Sequence, residues 1–396
     1  MLLASFDCTS TLLSRRLRYW AVGLLSLVIG LTAVGTAQAD PIRRLAQNPR
    51  GLALGGTGMS YADDEMGLYY NPAGLASVDN WWVELLPIMI ETSPDAVEFG
   101  QNIAGGDAGL DNVSGLIKDL AGRDFHLRAM YYPTAIVNIT DGFTFGGGAF
   151  FEVEVDLEIR NVAFPETEAY YRLDQGQAYA VTFPLGEGTF LTGIGARTIK
   201  RETGAGTITT AKLIEIADSG ESLDITKELD IRKGETTAYD LGFLWRLESF
   251  SALRGQFAMV VQNVGDASFG SVKKGAPDPI PQEIGFGWSF RPRFTPIING
   301  LFALEFRDVG FAATDDDSID KRTHFGIEVG IIPMDISTNL VTFRAGYGSG
   351  QVSYGLEISL WHSFTLQYVF YGQEYGELAG DDPRERQLLQ INLLGF

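Results

Sequence analysis

Apolar and polar residues alternate along most of the chain beyond residue 80. In the range 149–159, every second residue is apolar and most of the residues between them are acidic. A period of two produces a strand with one apolar and one polar face, whereas a helix requires a period near 3.6. The same pattern predicts about fourteen strands, near residues 82–91, 125–139, 142–160, 167–184, 188–201, 236–248, 254–264, 281–291, 297–309, 322–332, 339–348, 351–361, 363–373 and 385–396.

The connections between these strands alternate in length. Long connections fall at 92–124, 161–166, 202–235, 265–280, 310–321 and 374–384, and the others are short. The alternation has one exception, the short link Gly348-Ser349-Gly350 on the side of the long connections. An even strand number, short periplasmic turns and long extracellular loops are features of single-chain outer-membrane barrels. We therefore predict an all-β fold, a transmembrane antiparallel β-barrel of about 14 strands with both termini in the periplasm.

The apolar and polar faces of the strands are compatible with two all-β folds, a soluble sandwich and a membrane barrel. A soluble sandwich would need a second sheet of matching size to bury the apolar faces, whereas a membrane barrel turns them to lipid and encloses the polar faces in its lumen. We favour the barrel. It predicts that the following charged residues face the lumen: Glu152, Glu154, Arg172, Glu283, Glu305, Arg307, Glu328, Arg344 and Glu357.

A glycine-rich run precedes the first strand. Residues 50–76 read RGLALGGTGMSYADDEMGLYYNPAGLA and show no sustained apolar period. A phosphate-binding loop is disfavoured because its lysine and glycine spacing are missing. We predict that residues 40–80 form a compact hatch inside the lumen of a barrel formed by residues 81–396, because strand side chains alone cannot fill so wide a lumen. The predicted hatch residues are Gly55, Gly56, Gly58, Asp63, Asp64, Asn71, Pro72, Ala73 and Gly74. We also expect Asn71 to hydrogen-bond to lumen groups.

The run resembles the N-terminal hatch of outer-membrane barrels of the long-chain fatty-acid transporter (FadL) and PorV types. The resemblance lies in the residues LGGTG, ADD and YYNPAGLA. Residues 260–290 are also similar to a strand-loop-strand segment of PorV-like barrels, with Asn263-Val264-Gly265 as the turn and Ile280-Pro281 as the start of the second strand. The resemblance is dense only near residues 51–90 and 260–375, and it implies a fourteen-stranded barrel.

Residues 1–39 predict a cleaved export signal. Three arginines precede an apolar run from Tyr19 to about Val34, and Ala37-Gln38-Ala39 forms a small-residue cleavage site. A membrane anchor is the alternative. The single cysteine, Cys8, lies within this signal, so we expect no disulfide or thiolate site in the remainder.

The predicted location is the outer membrane of a Gram-negative-type envelope, and the expected partners are outer-membrane lipid and the export and barrel-assembly machinery. The terminal Phe396 fits a signal for the barrel-assembly machinery. In the last predicted strand, however, Leu389, Ile391 and Leu393 fall on one face, whereas Leu394 and Phe396 fall on the other. This change of face predicts a bulge in the strand or a weaker assembly signal.

Catalytic and metal-binding patterns are not found in the sequence. His126, His324 and His362 lack metal-ligand spacing, and no Gly-x-Ser-x-Gly motif occurs. We therefore expect no enzyme activity, no catalytic residue, no cofactor and no metal. Apolar residues at helical spacing predict a short helix over 110–120, and the acidic run 315–320 is interpreted as a solvated loop. A formal charge of −20 argues against a nucleic-acid partner.

Two functions of different classes remain from the sequence. Resemblance to the FadL type implies passage or binding of a hydrophobic small molecule across the outer membrane. Resemblance to the PorV type implies instead a non-conducting scaffold for protein secretion or surface attachment, with secreted protein as its cargo. The hatch motif belongs to both types and does not decide between them.

Overall fold

The structure, a computed structural model, describes residues 43–78, 80–105, 122–140, 143–159, 166–186, 188–209, 212, 229–247, 253–273, 275–310, 319–334, 338–360, 364–375 and 382–395. The predicted export signal, the predicted helix over 110–120, most of the acidic run 315–320 and the terminal Phe396 lie outside the described residues. The described strand segments are β1 Trp81–Thr92, β2 Asp124–Tyr131, β3 Thr134–Thr140, β4 Phe143–Ile159, β5 Glu166–Leu185, β6 Phe190–Thr209, β7 Arg232–Arg246, β8 Gln256–Gln262, β9 Gly270–Lys273, β10 Glu283–Phe290, β11 Arg293–Thr295, β12 Ile298–Phe306, β13 Thr323–Pro333, β14 Asn339–Gly348, β15 Gln351–Leu360, β16 Phe364–Glu374 and β17 Pro383–Gly395.

These segments form one closed antiparallel sheet. Segments β2 and β3 both pair with β4, β8 and β9 both pair with β7, and β10 and β11 both pair with β12. Each of these pairs is therefore one interrupted strand, so the described residues form fourteen strands. The last strand pairs with the first, from Glu84 opposite Gly395 to Thr92 opposite Gln387. The predicted fold, an antiparallel β-barrel of about 14 strands, is confirmed.

Some strand ends and one helix differ from the sequence prediction. Strand β6 continues to Thr209 and β7 begins at Arg232, both beyond the predicted ends at 201 and 236. Backbone pairing continues there, because the ladder needs only N–H and C=O groups and not an apolar face. A helix over Pro94–Gly105 was not predicted. Strand β17 pairs regularly with β16 from Pro383 to Leu393, so no bulge occurs over that range.

The outer surface of the barrel is apolar and its inner surface is polar. On β14, Phe343 is 53 % exposed whereas the adjacent Arg344 is 5 % exposed. On β4, Phe151 is exposed whereas Glu152 and Glu154 are buried. This is the inverse of a soluble protein and is the arrangement expected of a barrel surrounded by lipid.

Residues 43–78, here called the N-terminal segment, contain three short helical turns. They are Pro49–Ala53, Glu65–Leu68 and Pro72–Ser77. Each begins after an N-cap side chain that accepts a backbone hydrogen bond, from Asn48, Asp64 and Asn71 respectively. Capping explains why a run without apolar periodicity nevertheless forms local structure. Among the described residues, no helix is long and apolar enough to cross a membrane.

Candidate functional site in the barrel lumen

The N-terminal segment contacts the inner face on well-separated strands, and it does so through glycines. Gly55 has a φ of +72°, and a Cβ at that position would lie 2.3 Å from the carbonyl oxygen of Tyr347 on β14. On β7, a Cβ at Gly242 would lie 2.1 Å from Asn71 Oδ1, and on β6 a Cβ at Gly193 would lie 2.3 Å from the Ala73 nitrogen. Strand β14 is five to six strands away from β6 and β7 in a ring of fourteen. The segment therefore extends across the lumen.

A carboxylate on the barrel wall binds the backbone of the glycine-rich turn. Glu305 on β12 accepts hydrogen bonds from the Gly58 nitrogen at 3.0 Å, the Ser60 nitrogen at 2.8 Å and the Ser60 hydroxyl at 2.8 Å. The side chain of Glu305 is fully buried. Three donors compensate for the loss of water around this charge, as a buried carboxylate requires.

Arg50 links the N-terminal segment to the wall through a buried ion-pair cluster. Its guanidinium donates two hydrogen bonds to Glu328 on β13, both at 3.0 Å, and one each to Asp63 and Asp64 at 2.8 Å. Arg344 on β14 bridges Glu328 and Glu357, each at 2.7 Å. Because every charge in this cluster has an opposite partner, the cluster fixes the segment without leaving an isolated buried charge.

The carboxyls of the N-terminal segment have divergent pKa values. Burial by itself would raise the pKa of Asp63, but Arg291 and Arg50 reverse the effect and lower it to about 2. Burial and the neighbouring charge of Asp64 raise the pKa of Glu65 to about 8. Asn48 donates a hydrogen bond to Glu65 at 3.0 Å but supplies no positive charge. Glu65 therefore keeps its proton at neutral pH, whereas Asp63 is ionised.

A second group of contacts surrounds Glu283 on β10. Arg44 donates to this carboxylate at 2.9 and 3.2 Å, and Arg307 donates to it at 3.1 Å. Arg307 also donates to the carbonyl oxygen of Gly56 at 2.8 Å, and His324 lies 2.6 Å from the carbonyl oxygen of Gly55. The wall thus binds both the side chains and the backbone of the segment.

The beginning of the segment is bound on the opposite side, at β4 and β5. Arg43 pairs with Glu154 at 3.1 Å and Asp156 at 3.0 Å, and its guanidinium lies 3.6 Å from the ring centroid of Tyr170. Arg172 pairs with Glu154 at 2.6 Å and with Glu152. The beginning of the segment, like its central part around Arg50 and Asp63, is therefore held by arginine-carboxylate pairs.

The group His126, Glu154 and Asp156 has the composition of a metal site, since its ligand atoms lie within 4.8 Å of one another. Arg43 donates to both carboxylates, and Asp156 also contacts the His126 ring. These contacts already neutralise the group as part of the ion-pair network, so the residues present do not fit a resident cation.

The seam between β1 and the interrupted strand β2/β3 lacks regular pairing at its centre. Pairing runs to Ile88 opposite Tyr131 on one side and resumes at Glu84 opposite Thr134 on the other. Leu85 and Leu86 are both exposed, so the alternation of inward and outward residues slips there as in a β-bulge. Pro87 and Pro133, which have no N–H to donate, fall in the unpaired stretch.

An apolar cluster lies directly behind this seam. Tyr132, at the interruption itself, packs against Tyr69 of the N-terminal segment with ring centroids 5.7 Å apart. Phe150 lies 6.5 Å from Tyr69, and Leu68 and Ile136 belong to the same buried cluster. The inner surface directly behind the unpaired stretch therefore carries aromatic and aliphatic side chains, and at its edge the Tyr132 hydroxyl donates a hydrogen bond to Glu152 of the arginine-carboxylate network.

The structure buries all nine charged residues that the sequence assigned to the lumen. The nine hatch residues of the sequence prediction all fall within the N-terminal segment. One expectation differs. Asn71 donates to the Met59 carbonyl at 2.8 Å and accepts from the Ala73 nitrogen at 3.0 Å, so its hydrogen bonds stay within the segment and do not reach the lumen wall. The reason is its N-cap position before Pro72, where Ala73 offers the free donor.

Sequence reasoning missed the arginines that hold the segment. Arg43, Arg44 and Arg50 flank or begin the glycine-rich run, and Arg291 donates to the Tyr61 carbonyl at 2.7 Å and pairs with Asp63. One available signal was their concentration beside the run in a chain with only 30 basic residues against 50 acidic ones.

Comparisons with known proteins give similarities in structure only. No family model matches the chain, and no curated protein sequence matches it. Among solved structures, the Pseudomonas putida toluene transporter TodX matches with 11 % identity and a TM-score of 0.46, covering 92 % of this chain and 98 % of that one. The CymD monoaromatic hydrocarbon channel matches with 10 % identity and a TM-score of 0.46, covering 87 % and 96 %. A Pseudomonas aeruginosa FadL homologue matches with 10 % identity and a TM-score of 0.40, covering 89 % and 98 %.

The assignment of the fold rests on the strand pairing. By that pairing the chain is a fourteen-stranded antiparallel β-barrel, which is the fold that its sequence resemblance to the FadL type implies.

Proposed function

We propose that this chain is an outer-membrane barrel that binds a hydrophobic small molecule and passes it through the barrel wall at the seam between β1 and β2/β3. The observation that supports the proposal is the coincidence of the unpaired stretch with the apolar cluster of Tyr69, Tyr132 and Phe150. The sequence resemblance to the FadL type agrees with such a ligand.

The charges of the lumen favour a route through the wall over one along the barrel axis. A hydrophobic molecule moving along the axis would have to separate ion pairs such as Arg50 with Glu328 or Arg307 with Glu283. Breaking a buried pair leaves uncompensated charges and costs about 3–5 kcal/mol. At the unpaired stretch the same molecule would meet Leu85 and Leu86 on the outer face and the rings of Tyr69 and Phe150 on the inner face, so it would cross the wall without separating an ion pair.

The test is uptake of a hydrophobic fluorescent dye by outer-membrane vesicles that contain the protein. The parent should take up more dye than vesicles without it. In a Leu85→Lys/Leu86→Lys variant, the dye uptake above that of empty vesicles should fall at least fivefold, because two charges then line the seam. An Ile88→Lys/Ile90→Lys variant is the matched control, since these residues face outward on the same strand, are similarly exposed and lie in its paired part. Heat-modifiable gel mobility confirms folding of each variant.

Two results would contradict the proposal. Equal loss of uptake in folded seam and control variants would show that the seam has no special role. A parent no more active than empty vesicles would exclude passage of the dye and would favour the scaffold function that the PorV type implies.

A further inference from the structure

A cavity of about 280 Å³ opens at the end of the barrel where the short connections lie. Three such connections line it: the link before β8, the link between β10 and β11, and the link between β13 and β14. The proposed transport route does not use this cavity, and none of its lining residues belongs to the seam.

The charge of the cavity is opposite to that of the chain. Its lining contains four arginines, Arg50, Arg254, Arg291 and Arg293, and one acidic residue, Glu328, which is already paired with Arg50 and Arg344. The whole chain has 50 acidic and 30 basic residues. Arg50 and Arg291 are paired with buried carboxylates, so the local attraction for anions comes from Arg254 and Arg293.

Two of these arginines have unused donors. Arg254 and Arg293 are exposed, and among the described residues neither guanidinium has a hydrogen-bond or ion-pair partner. The two links that carry them are joined by a hydrogen bond from the Arg291 nitrogen to the Leu253 carbonyl at 2.6 Å. Each guanidinium presents a planar fork of donors that matches two oxygens of a phosphate or carboxylate.

Among the described residues, the inner wall of the cavity has one buried donor without a partner, the Nε of Arg291. The Arg291 side chain is held in place by Asp63 and by the Tyr61 carbonyl. Leu301 and Arg50, both buried, close the cavity toward the lumen. A ligand here would thus contact a preorganised base and two free guanidiniums at the rim.

We propose that this cavity is a binding site for a soluble oxyanion, a small molecule that carries a phosphate or carboxylate group. Arg254 and Arg293 supply the charge-assisted hydrogen bonds, and the Nε of Arg291, whose Nη1 is paired with Asp63, is a further donor at the base of the cavity. A lipid headgroup has the same chemistry. We favour the soluble source because Arg50, Glu328 and Leu301 place the base of the cavity on the lumenal side of the wall, away from lipid.

The test is calorimetric titration of the purified protein with inorganic phosphate in neutral detergent at pH 7.5, with total ionic strength held constant by chloride. The parent should show one saturable site. An Arg254→Gln/Arg293→Gln variant should bind at least tenfold more weakly. An Arg232→Gln/Lys233→Gln variant removes the same charge from two exposed residues away from the cavity, and it should bind within twofold of the parent.

Both variants change exposed side chains, and heat-modifiable mobility verifies that they fold. Absence of saturable binding in the parent would overturn the proposal, and so would equal weakening in the two variants. A parallel titration compares micelles doped with phosphatidylglycerol and with phosphatidylcholine. Saturable binding of phosphatidylglycerol without binding of inorganic phosphate would overturn the assignment to a soluble ligand. None of these measurements depends on dye uptake, so they test the oxyanion site independently of the transport proposal.

Discussion

At the scale of single residues, neighbouring positions on one strand have opposite surroundings. Phe343 meets the outside of the barrel, whereas Arg344 pairs with two carboxylates inside it. A charge is therefore tolerated or costly according to which face it occupies and how deep it lies, and not according to its place in the sequence.

Replacing Phe343 with arginine should lower the free energy of unfolding in lipid by about 2–4 kcal/mol, because this residue lies mid-strand and faces outward. The same change at Phe294, which is also exposed but lies in the three-residue segment β11 at the end of the barrel, should cost about 0–1 kcal/mol. Urea unfolding in lipid vesicles measures both. Equal costs at the two positions would contradict a membrane-embedded outer face.

Glu65 should make stability depend on pH. In the folded protein the Glu65 carboxyl keeps its proton up to about pH 8, whereas in the unfolded chain the same carboxyl releases it near pH 4.5. The contribution of Glu65 to stability is therefore complete below pH 4.5 and is lost as the pH rises through about 8. We expect the temperature of the gel-mobility shift to fall between pH 5 and pH 9, and to fall less in Glu65→Gln. An identical pH dependence in parent and variant would show that Glu65 does not titrate as proposed.

At the scale of elements, the N-terminal segment is held both by polar contacts and by buried apolar side chains such as Leu54, Met66 and Leu68. Its helical turns are too short to be stable alone. Glycines on both sides permit close approach, and arginines at residues 43, 44 and 50 connect it to four strands. The segment therefore acquires its structure from the lumen that surrounds it.

Arg50→Met should destabilise the folded protein by about 3–5 kcal/mol, because it leaves Glu328, Asp63 and Asp64 buried with fewer partners. Lys200→Met is the control. It removes an exposed pair with Glu235, which is worth less than about 1 kcal/mol. Urea unfolding of both variants in lipid vesicles measures the difference. Costs of similar size would mean that the Arg50 cluster does not anchor the segment.

At the scale of the whole molecule, closure of the sheet leaves no free strand edge and creates a lumen that the N-terminal segment crosses. Because this segment contacts strands on well-separated sides of the lumen, we propose that it acts as a plug.

Deletion of residues 51–58 removes the contacts of Gly55, Gly56 and Gly58 with the wall. We expect the deletion variant to fold, as judged by gel mobility, and to raise single-channel conductance well above that of the parent. Dye uptake, measured in parallel, shows whether the plug also controls hydrophobic passage. Folded deletion protein that is as closed as the parent on both measures would show that the segment only tethers the first strand.

The sequence alone determined the barrel and its two faces. Alternation along the strands indicates which residues point outward, except where it slips at Leu85 and Leu86. An even number of strands allows closure. Both features can be found in the sequence because a period of two is a local property that needs no knowledge of the partner strand. The end of β6 at Thr209 and the beginning of β7 at Arg232 could not be predicted, because the polar parts of these strands pair through their backbones alone.

Only the tertiary structure decided which residues meet in the lumen. Arg50 and Glu328 are 278 residues apart in the chain, and no local pattern links them. The same holds for Arg291 with Asp63, for the apolar cluster behind Leu85 and Leu86, and for the arginine-lined cavity formed by three separate links. Their proximity follows from the register of fourteen strands and from the path of the N-terminal segment across the lumen, because a closed barrel brings together residues from every part of the chain.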